Sequence, residues 1–212
     1  ALDREPEQIV FSVVVMQVSR DFITKTGLNK NDKEPRTSWT LSPREMHMLT
    51  ELIRKEKAEG TCDILARPQI QVCAGQTGYV QVGQDVPTAV SYEVNASGLK
   101  LAMEPKVKTQ HHGVTMKVTG SYSPDGKTVR MDGSVQVSGG RVYEQRTLKA
   151  VAEIPVGESL VLAECATGTS SFTTAITRVT VGEPLQTVVI ITPHRVENMA
   201  SHLKTAAGWF TK

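Results

Sequence analysis

From Leu99 to Ile154 the chain repeats one pattern. Leu99, Leu101 and Met103 alternate with Lys100 and Ala102. Val114, Met116 and Val118 alternate with Thr115, Lys117 and Thr119, and Leu148, Ala150, Ala152 and Ile154 alternate with Lys149, Val151 and Glu153. A period of two puts successive side chains on opposite faces, so each run predicts a strand with one buried and one polar face. Turn-formers separate the runs: Asn95-Ala96-Ser97-Gly98, Ser123-Pro124-Asp125-Gly126 and Ser138-Gly139-Gly140. Pro124-Asp125-Gly126 between two strands is a hairpin signal. Short turns between alternating strands predict a mostly-β, antiparallel chain.

The first half adds three pieces. Gln8–Val18 (QIVFSVVVMQV) is apolar on both alternating sets, which predicts a strand covered on both sides. Ser19–Pro35 loses the pattern and reads as an exposed connection. Ser42-Pro43-Arg44-Glu45 then opens a helix over about 43–59, with Ser42 as cap, Pro43 at the first helical position and Glu45 closing a capping box. Met46, Leu49, Leu52 and Ile53 share one face, and Gly60 terminates. A methionine-bearing face of this kind is core rather than ligand groove.

Ile64–Cys73 and Tyr79–Val82 are predicted strands about a turn at Gly75–Gly78. The second runs into Gly83-Gln84-Asp85-Val86-Pro87. Ser159–Ala163, Ser171–Val181 and Leu185–Thr192 continue the series. The expected organisation is an N-terminal strand and connection (1–40), a β domain with its helix (41–196), and an amphipathic segment or tail (197–212) carrying Met199, Leu203 and Ala206.

Chemistry is hard to find. Formal charge is +2, which gives nucleic-acid binding little support. Cys62, Cys73 and Cys165 fit no zinc spacing; they read as buried thiols, or as one disulfide and a free thiol in an oxidising compartment. His111-His112, between Gln110 and Gly113, reads as an exposed turn, and adjacent strand residues do not share a ligand site. Asp85 and Glu104 are lone acids with no general acid–base partner. No nucleophile elbow or phosphate loop occurs. The reading is no enzyme, no metal and no cofactor. No apolar run reaches the roughly 18–20 residues of a membrane helix, which leaves membrane strands of about 9–11 residues open. The polar start, Ala1–Pro6, carries no signal sequence, so a mature or internal fragment is expected.

These segments, taken together, resemble the C-terminal domain of the secretins, the ring-forming outer-membrane channels of type II and III secretion, type IV pili and filamentous phage export. Gln8–Val18 resembles the family's early "VEA.I.EV" strand. The helix followed by Ile64-Leu65-Ala66-Arg67-Pro68-Gln69-Ile70 resembles its "VLS.P.I" element. Gly83-Gln84-Asp85-Val86-Pro87 is similar to "VG..VP", and Gly98–Val107, with Pro105, to "G..L.V.P.I". Val156–Leu162, with Gly157, is similar to "DG.T.VIGG", and Val188–Val196, with Thr192-Pro193, to the closing "LLI..TP.IV".

The resemblance implies a secretin-type β-barrel shared between on the order of a dozen copies of the chain. It implies outer-membrane lipid and secretion, pilus or phage machinery as partners, and an outer-membrane location with a periplasmic portion. Pro68, Gly83, Gln84, Val86, Pro87, Gly98, Pro105, Gly157, Thr192 and Pro193 become architectural residues: Gly83 where the wall bends, Pro87 where the strand leaves the ladder, and Pro68 and Pro105 at edges or bulges. The usual gate insertion shrinks to Thr88–Ser97, which implies a gate that is either small, with Thr88, Ser91, Tyr92 and Asn95 as its residues, or absent. Lys127–Arg146 takes the place of the membrane hairpin, its valines toward lipid and its charges toward a lumen, with no aromatic girdle. Ala163-Glu164-Cys165 replaces the family's Gly-Gly, and the family's periplasmic modules are expected to lie outside the chain or not to exist. Two other expectations stand beside a membrane channel: a secretin-derived ring that does not span the membrane, and a monomeric β-sandwich binding module.

Overall fold

The computed structural model describes residues 7–19, 21–26, 38–97, 100–139, 144–163 and 186–196. Two antiparallel sheets pack face to face. The first is built on β1 (Gln8–Val18), which lies between β10 (Gln186–Arg195) on one side and β3 (Cys62–Ala66) with β4 (Gln69–Cys73) on the other. β9 (Ser159–Ala163) pairs with β10, and β2 (Ser38–Leu41) forms the edge. The second sheet is a meander in chain order: β5 (Thr77–Ser97), β6 (Lys100–Tyr122), β7 (Thr128–Gly139) and β8 (Glu144–Pro155).

The apolar character of β1 on both faces is explained by two cores. Ile9, Phe11, Val13 and Val15 enter the space between the sheets, against Val114, Met116, Val118, Val129, Met131, Val135, Val137 and Ile154. Met16 and Val18 face the other way, toward Phe22, Leu41, Met46, Leu49 and Ile53. The Tyr122 hydroxyl donates to the Gln8 carbonyl at 3.1 Å, and the Gly75 amide donates to the Gly120 carbonyl at 2.7 Å. β6 packs over β1, β3 and β4, and β8 packs over β9. The four strands of the second sheet therefore cover four strand positions of the first, and β2 overhangs.

The helix α2 spans Pro43–Ala58 with the expected capping box: Ser42 Oγ accepts from the Glu45 amide, and the Glu45 carboxylate accepts from the Ser42 amide at 2.8 Å. Hydrogen bonds from the Ser42 hydroxyl and amide hold the Glu45 carboxyl below its ordinary range. The reading of Ser19–Pro35 as exposed connection is corrected at its start. Residues 21–26 form a short helix, α1 (Asp21–Thr26), whose Phe22 is buried in the helix-side core. A single aromatic in a polar stretch has no periodicity to announce it. Residues 27–37, 164–185 and 197–212 lie outside the described residues, and with them Cys165, the strand expected at Ser171–Val181 and the C-terminal amphipathic segment.

Glu56 ties α1, α2 and β3 together. Its carboxylate, 2% exposed, accepts from Lys25 Nζ at 2.9 Å and from the Thr61 hydroxyl. Those two bonds, Thr61's the larger, hold its carboxyl below the ordinary 4.5. Lys25 is about half exposed, so water screens its share. A depressed folded-state value contributes stability that is complete above pH 4.5 and lost as pH falls through the folded value. Glu56→Gln is expected to cost about 1.5–3 kcal/mol at pH 7. The gap between variant and parent should close in acid, as read from urea midpoints at a series of pH values. A gap independent of pH would show that the charge is not what stabilises.

Cys62 is buried with its Sγ 3.9 Å from Met16 Sδ, and desolvation pushes its thiol up to about 11. Such a thiol is unreactive. Cys62 and Cys73 are both free.

Candidate functional site

The strands expected to carry architectural roles converge on one feature, the β5–β6 hairpin. It is far longer than the predicted Tyr79–Val82 strand. The ladder runs from Thr77↔Thr119 without interruption to a bulge at Val90, then on to Ser97↔Lys100. Gly78 and Val80 of β5 face inward, Val80 against the core, and Val82 is already exposed. Past Gly83 the cover thins: Val86, Gln110, His111 and His112 are half-buried. Gln84, Asp85 and Pro87 are exposed, and so are Pro105, Lys106, Val107, Lys108 and Thr109 opposite them. Residues 84–97 and 100–112 thus form a two-stranded arm about 45 Å long at ~3.3 Å per residue.

The junction between wall and arm is a glycine pair. Gly83 and Gly113 are cross-strand partners with φ of 151° and 150°. A Cβ on Gly83 would stand 2.2 Å from the His112 carbonyl oxygen, and one on Gly113 would stand 2.2 Å from the Val82 carbonyl oxygen. Neither position accepts a side chain, and both need a backbone conformation open mainly to glycine. Gly139, at the end of β7 and beside Gly113's partner Ser138, has the same φ of 151°. Positive-φ glycines therefore stand side by side on three strands. Ser138 lies among them, donating to the His111 carbonyl at 2.7 Å.

The expected residues fall around this junction as follows. Gln84 pairs with His112, Val86 with Gln110, Pro87 with Thr109 and Thr88 with Lys108. Pro87 is thus inside the ladder, not at its end; without an N–H, it sits in a two-stranded arm where, among the described residues, one side of each strand has no partner strand. Ser91 pairs with Lys106 at the bulge, Tyr92 with Pro105 and Asn95 with Ala102. Gly98 lies outside the described residues. His111-His112 is not a turn. The two stand in β6, and His111 Nδ1 lies 3.0 Å from the Asp85 carboxylate across the ladder. Asp85 accordingly has a partner, though it stays largely exposed.

The remaining residues lie away from the arm. Pro68 separates β3 from β4, and its carbonyl accepts from the Val13 amide at 2.9 Å. Gly157 turns β8 into β9 with φ of 92°. Thr192 Oγ1 is 2.7 Å from Ser159 Oγ, and Pro193 pairs with Phe11. Among the described residues no group of three potential metal ligands comes together.

The β7–β8 hairpin corrects the expectation for 127–146. Val129, Met131, Val135 and Val137 are buried between the sheets rather than turned outward. The outward face of the four-stranded sheet carries Gln81, Thr115, Gln136 and Thr147 in one cross-strand row, and Tyr79, Lys117, Ser134 and Lys149 in the next. In a two-sheet domain the second sheet, which sequence alternation does not reveal, takes the apolar face that lipid was expected to cover.

Compared with known families, residues 56–163 match the secretin family model, described as bacterial type II and III secretion system protein. That match runs from the last turn of α2 through β3, β4, both halves of the long hairpin and the β7–β8 pair to β9, over half the chain. The chain is a secretin. Secretins are structural components of outer-membrane channels with periplasmic portions, not enzymes. No curated protein matches this secretin by sequence. Among solved structures it is similar to the InvG secretin domain β-barrel of the Salmonella injectisome, at 9% identity and TM-score 0.42, covering 98% of this chain and 71% of that one. It is also similar to the type II secretin GspD of enteropathogenic Escherichia coli, at 15% and 0.45, covering 96% and 74%. The V. cholerae type IV competence pilus secretin PilQ follows at 12% and 0.41, covering 92% and 62%.

Proposed function

We propose that this secretin is one wall segment of a homo-oligomeric ring, a channel in the outer membrane through which protein, pilus or phage passes without chemistry. The observation that carries the reading is the pair of open edges on the four-stranded sheet. Among the described residues β5 and β8 each pair on one side only. They run in opposite directions, so β8 of one copy adds to β5 of the next in the same antiparallel sense as the rest of the sheet. This contact is head-to-tail, and a head-to-tail contact that closes makes a ring without edges. Beside β8 the sandwich is open. A cleft of about 480 Å³ lies between it and β9, lined by Leu148, Ala150, Ala152, Leu160 and Leu162, with Ser38 of the overhanging β2 at its rim. The neighbour's β5 would close that cleft.

Sheet widths set the curvature. At about 4.8 Å per strand, the first sheet, five positions wide, spans ~24 Å and the second, four wide, ~19 Å. The wider layer belongs at the larger radius. A difference of ~5 Å across sheets about 10 Å apart corresponds to roughly 13 copies around a circle. The bare face of the second sheet then lines the lumen. The arm beyond Gly83–Gly113 serves as the gate, with Thr88, Ser91, Tyr92 and Asn95 along it. A two-stranded ribbon is marginal alone and gains its cover from the arms beside it.

Electron micrographs of the purified protein are expected to contain uniform rings. Ala150→Glu, which places a carboxylate in the cleft, should abolish rings while far-UV circular dichroism and the thermal midpoint of the monomer stay close to the parent's. Isolated 23.1 kDa particles from the parent chain would instead favour a monomeric sandwich. The burial of Val129, Met131, Val135 and Val137 favours a second reading, a ring whose described wall is wet on both sides and does not itself meet lipid. Rings that stay dispersed without detergent would support it over the membrane-spanning form.

A further inference from the structure

We propose that the bare face of the four-stranded sheet binds anionic polypeptide, and that it makes the passage of the ring anion-selective; the second clause rests on the channel reading above. Lys117 and Lys149 stand in one cross-strand row with Ser134 between them, and both are exposed. With Thr77 and Thr119 they line a shallow groove of about 560 Å³. Neither lysine has a hydrogen bond or ion pair with a described residue, so both ammoniums are available. The row on the arm side, Gln81, Thr115, Gln136 and Thr147, is neutral. On the other side Asp132, paired with Thr119, offsets part of the field, one carboxylate against two ammoniums. In the row after that, Arg130 and Glu153 are direct cross-strand partners and cancel. The face therefore carries a single track of uncompensated charge, and it is positive.

Ring closure would repeat that track. Two strand spacings separate the lysines by about 10 Å, and each protomer adds another pair per ~19 Å of arc. The Debye length at physiological salt is about 8 Å, so neighbouring fields overlap into a belt. Rings of lysine at a pore wall select anions, and a positive track concentrates acidic partners and speeds their arrival.

The binding clause is tested on the purified full chain with fluorescein-labelled poly-L-glutamate, followed by anisotropy at low and physiological salt. Lys117→Gln/Lys149→Gln should weaken binding roughly tenfold, about what two exposed ion pairs contribute. Lys55→Gln/Lys57→Gln, which removes equal charge from α2, should leave it unchanged. Equal affinities in all three, or equal losses in both variants, would overturn the proposal. In planar bilayers under a KCl gradient, the parent's reversal potential should lie toward that of chloride, and Lys117→Glu/Lys149→Glu should move it toward that of potassium. A cation-selective parent, or a potential indifferent to these residues, overturns the selectivity clause. If no conductance is seen while poly-L-glutamate binding still depends on the two lysines, the channel reading fails and the anion-binding face stands.

Discussion

Replacing Gly83 by valine is expected to unlock the arm and leave the sandwich standing. The new Cβ meets the His112 carbonyl oxygen at 2.2 Å and the Gly113 Cα at 2.8 Å, both backbone atoms that no rotamer change can move. The φ of 151° adds strain for any residue with a side chain. Together these cost about 2–4 kcal/mol. That cost falls on the junction. Among the described residues the ladder beyond it has no third strand, so the cheapest relief is to open it from Gly83 outward, a local unfolding. Hydrogen exchange should therefore accelerate across 84–112 while amides in β1 and β10 keep their protection, and the thermal midpoint should move little. Gly113→Val should do the same from the other strand, and the double variant should add little, because one opening relieves both clashes. Ring formation should fail in all three. A global loss of stability with the arm still protected would mean that the glycine pair serves the core and not the junction.

Much of this fold was legible in residues. The capping box at Ser42–Glu45, the alternation at 114–118 and 148–154 and the hairpin turn at 123–126 each report a local preference, and local preferences are what sequence expresses directly. Glycine partnership is different. Gly113 stands as far from the hairpin tip as Gly83 does, to within one residue, so their pairing was implicit once a single hairpin was assumed. A turn at His111-His112 would cut that hairpin in two. Histidines are neutral in a strand, and Gly113 after them looked like punctuation. The same limit explains the β7 valines. Alternation says that one face of a strand is covered; it does not say whether lipid or a second sheet covers it. The register of β1 against β10 and of β5 against β6 decides that, and register is a long-range property. The lysine track has the same origin. Lys117 and Lys149 are 32 residues apart and become neighbours in a row only through the pairing of β6, β7 and β8.

The sandwich itself should respond most strongly at Phe11. Its ring is fully buried and lies where β6 has no side chain: a Cβ on Gly120 would stand 2.6 Å from Phe11 Cζ. The aromatic and the glycine are thus two halves of one fit between the sheets. Phe11→Ala empties the space and is expected to cost about 3–5 kcal/mol, lowering the thermal midpoint by about 10 °C for a chain of this size. Gly120→Val overfills it at a cost of about 1–3 kcal/mol. If the two positions share one space, the combined variant places the new methyls in the hole left by the ring. It should then be more stable than the sum of the single losses predicts, by a coupling of about 0.5–3 kcal/mol. Additive losses in urea unfolding would mean that the sheets adjust their spacing instead of holding it. In that case the curvature deduced from two rigid layers, and with it the estimate of about a dozen copies, would lose its footing.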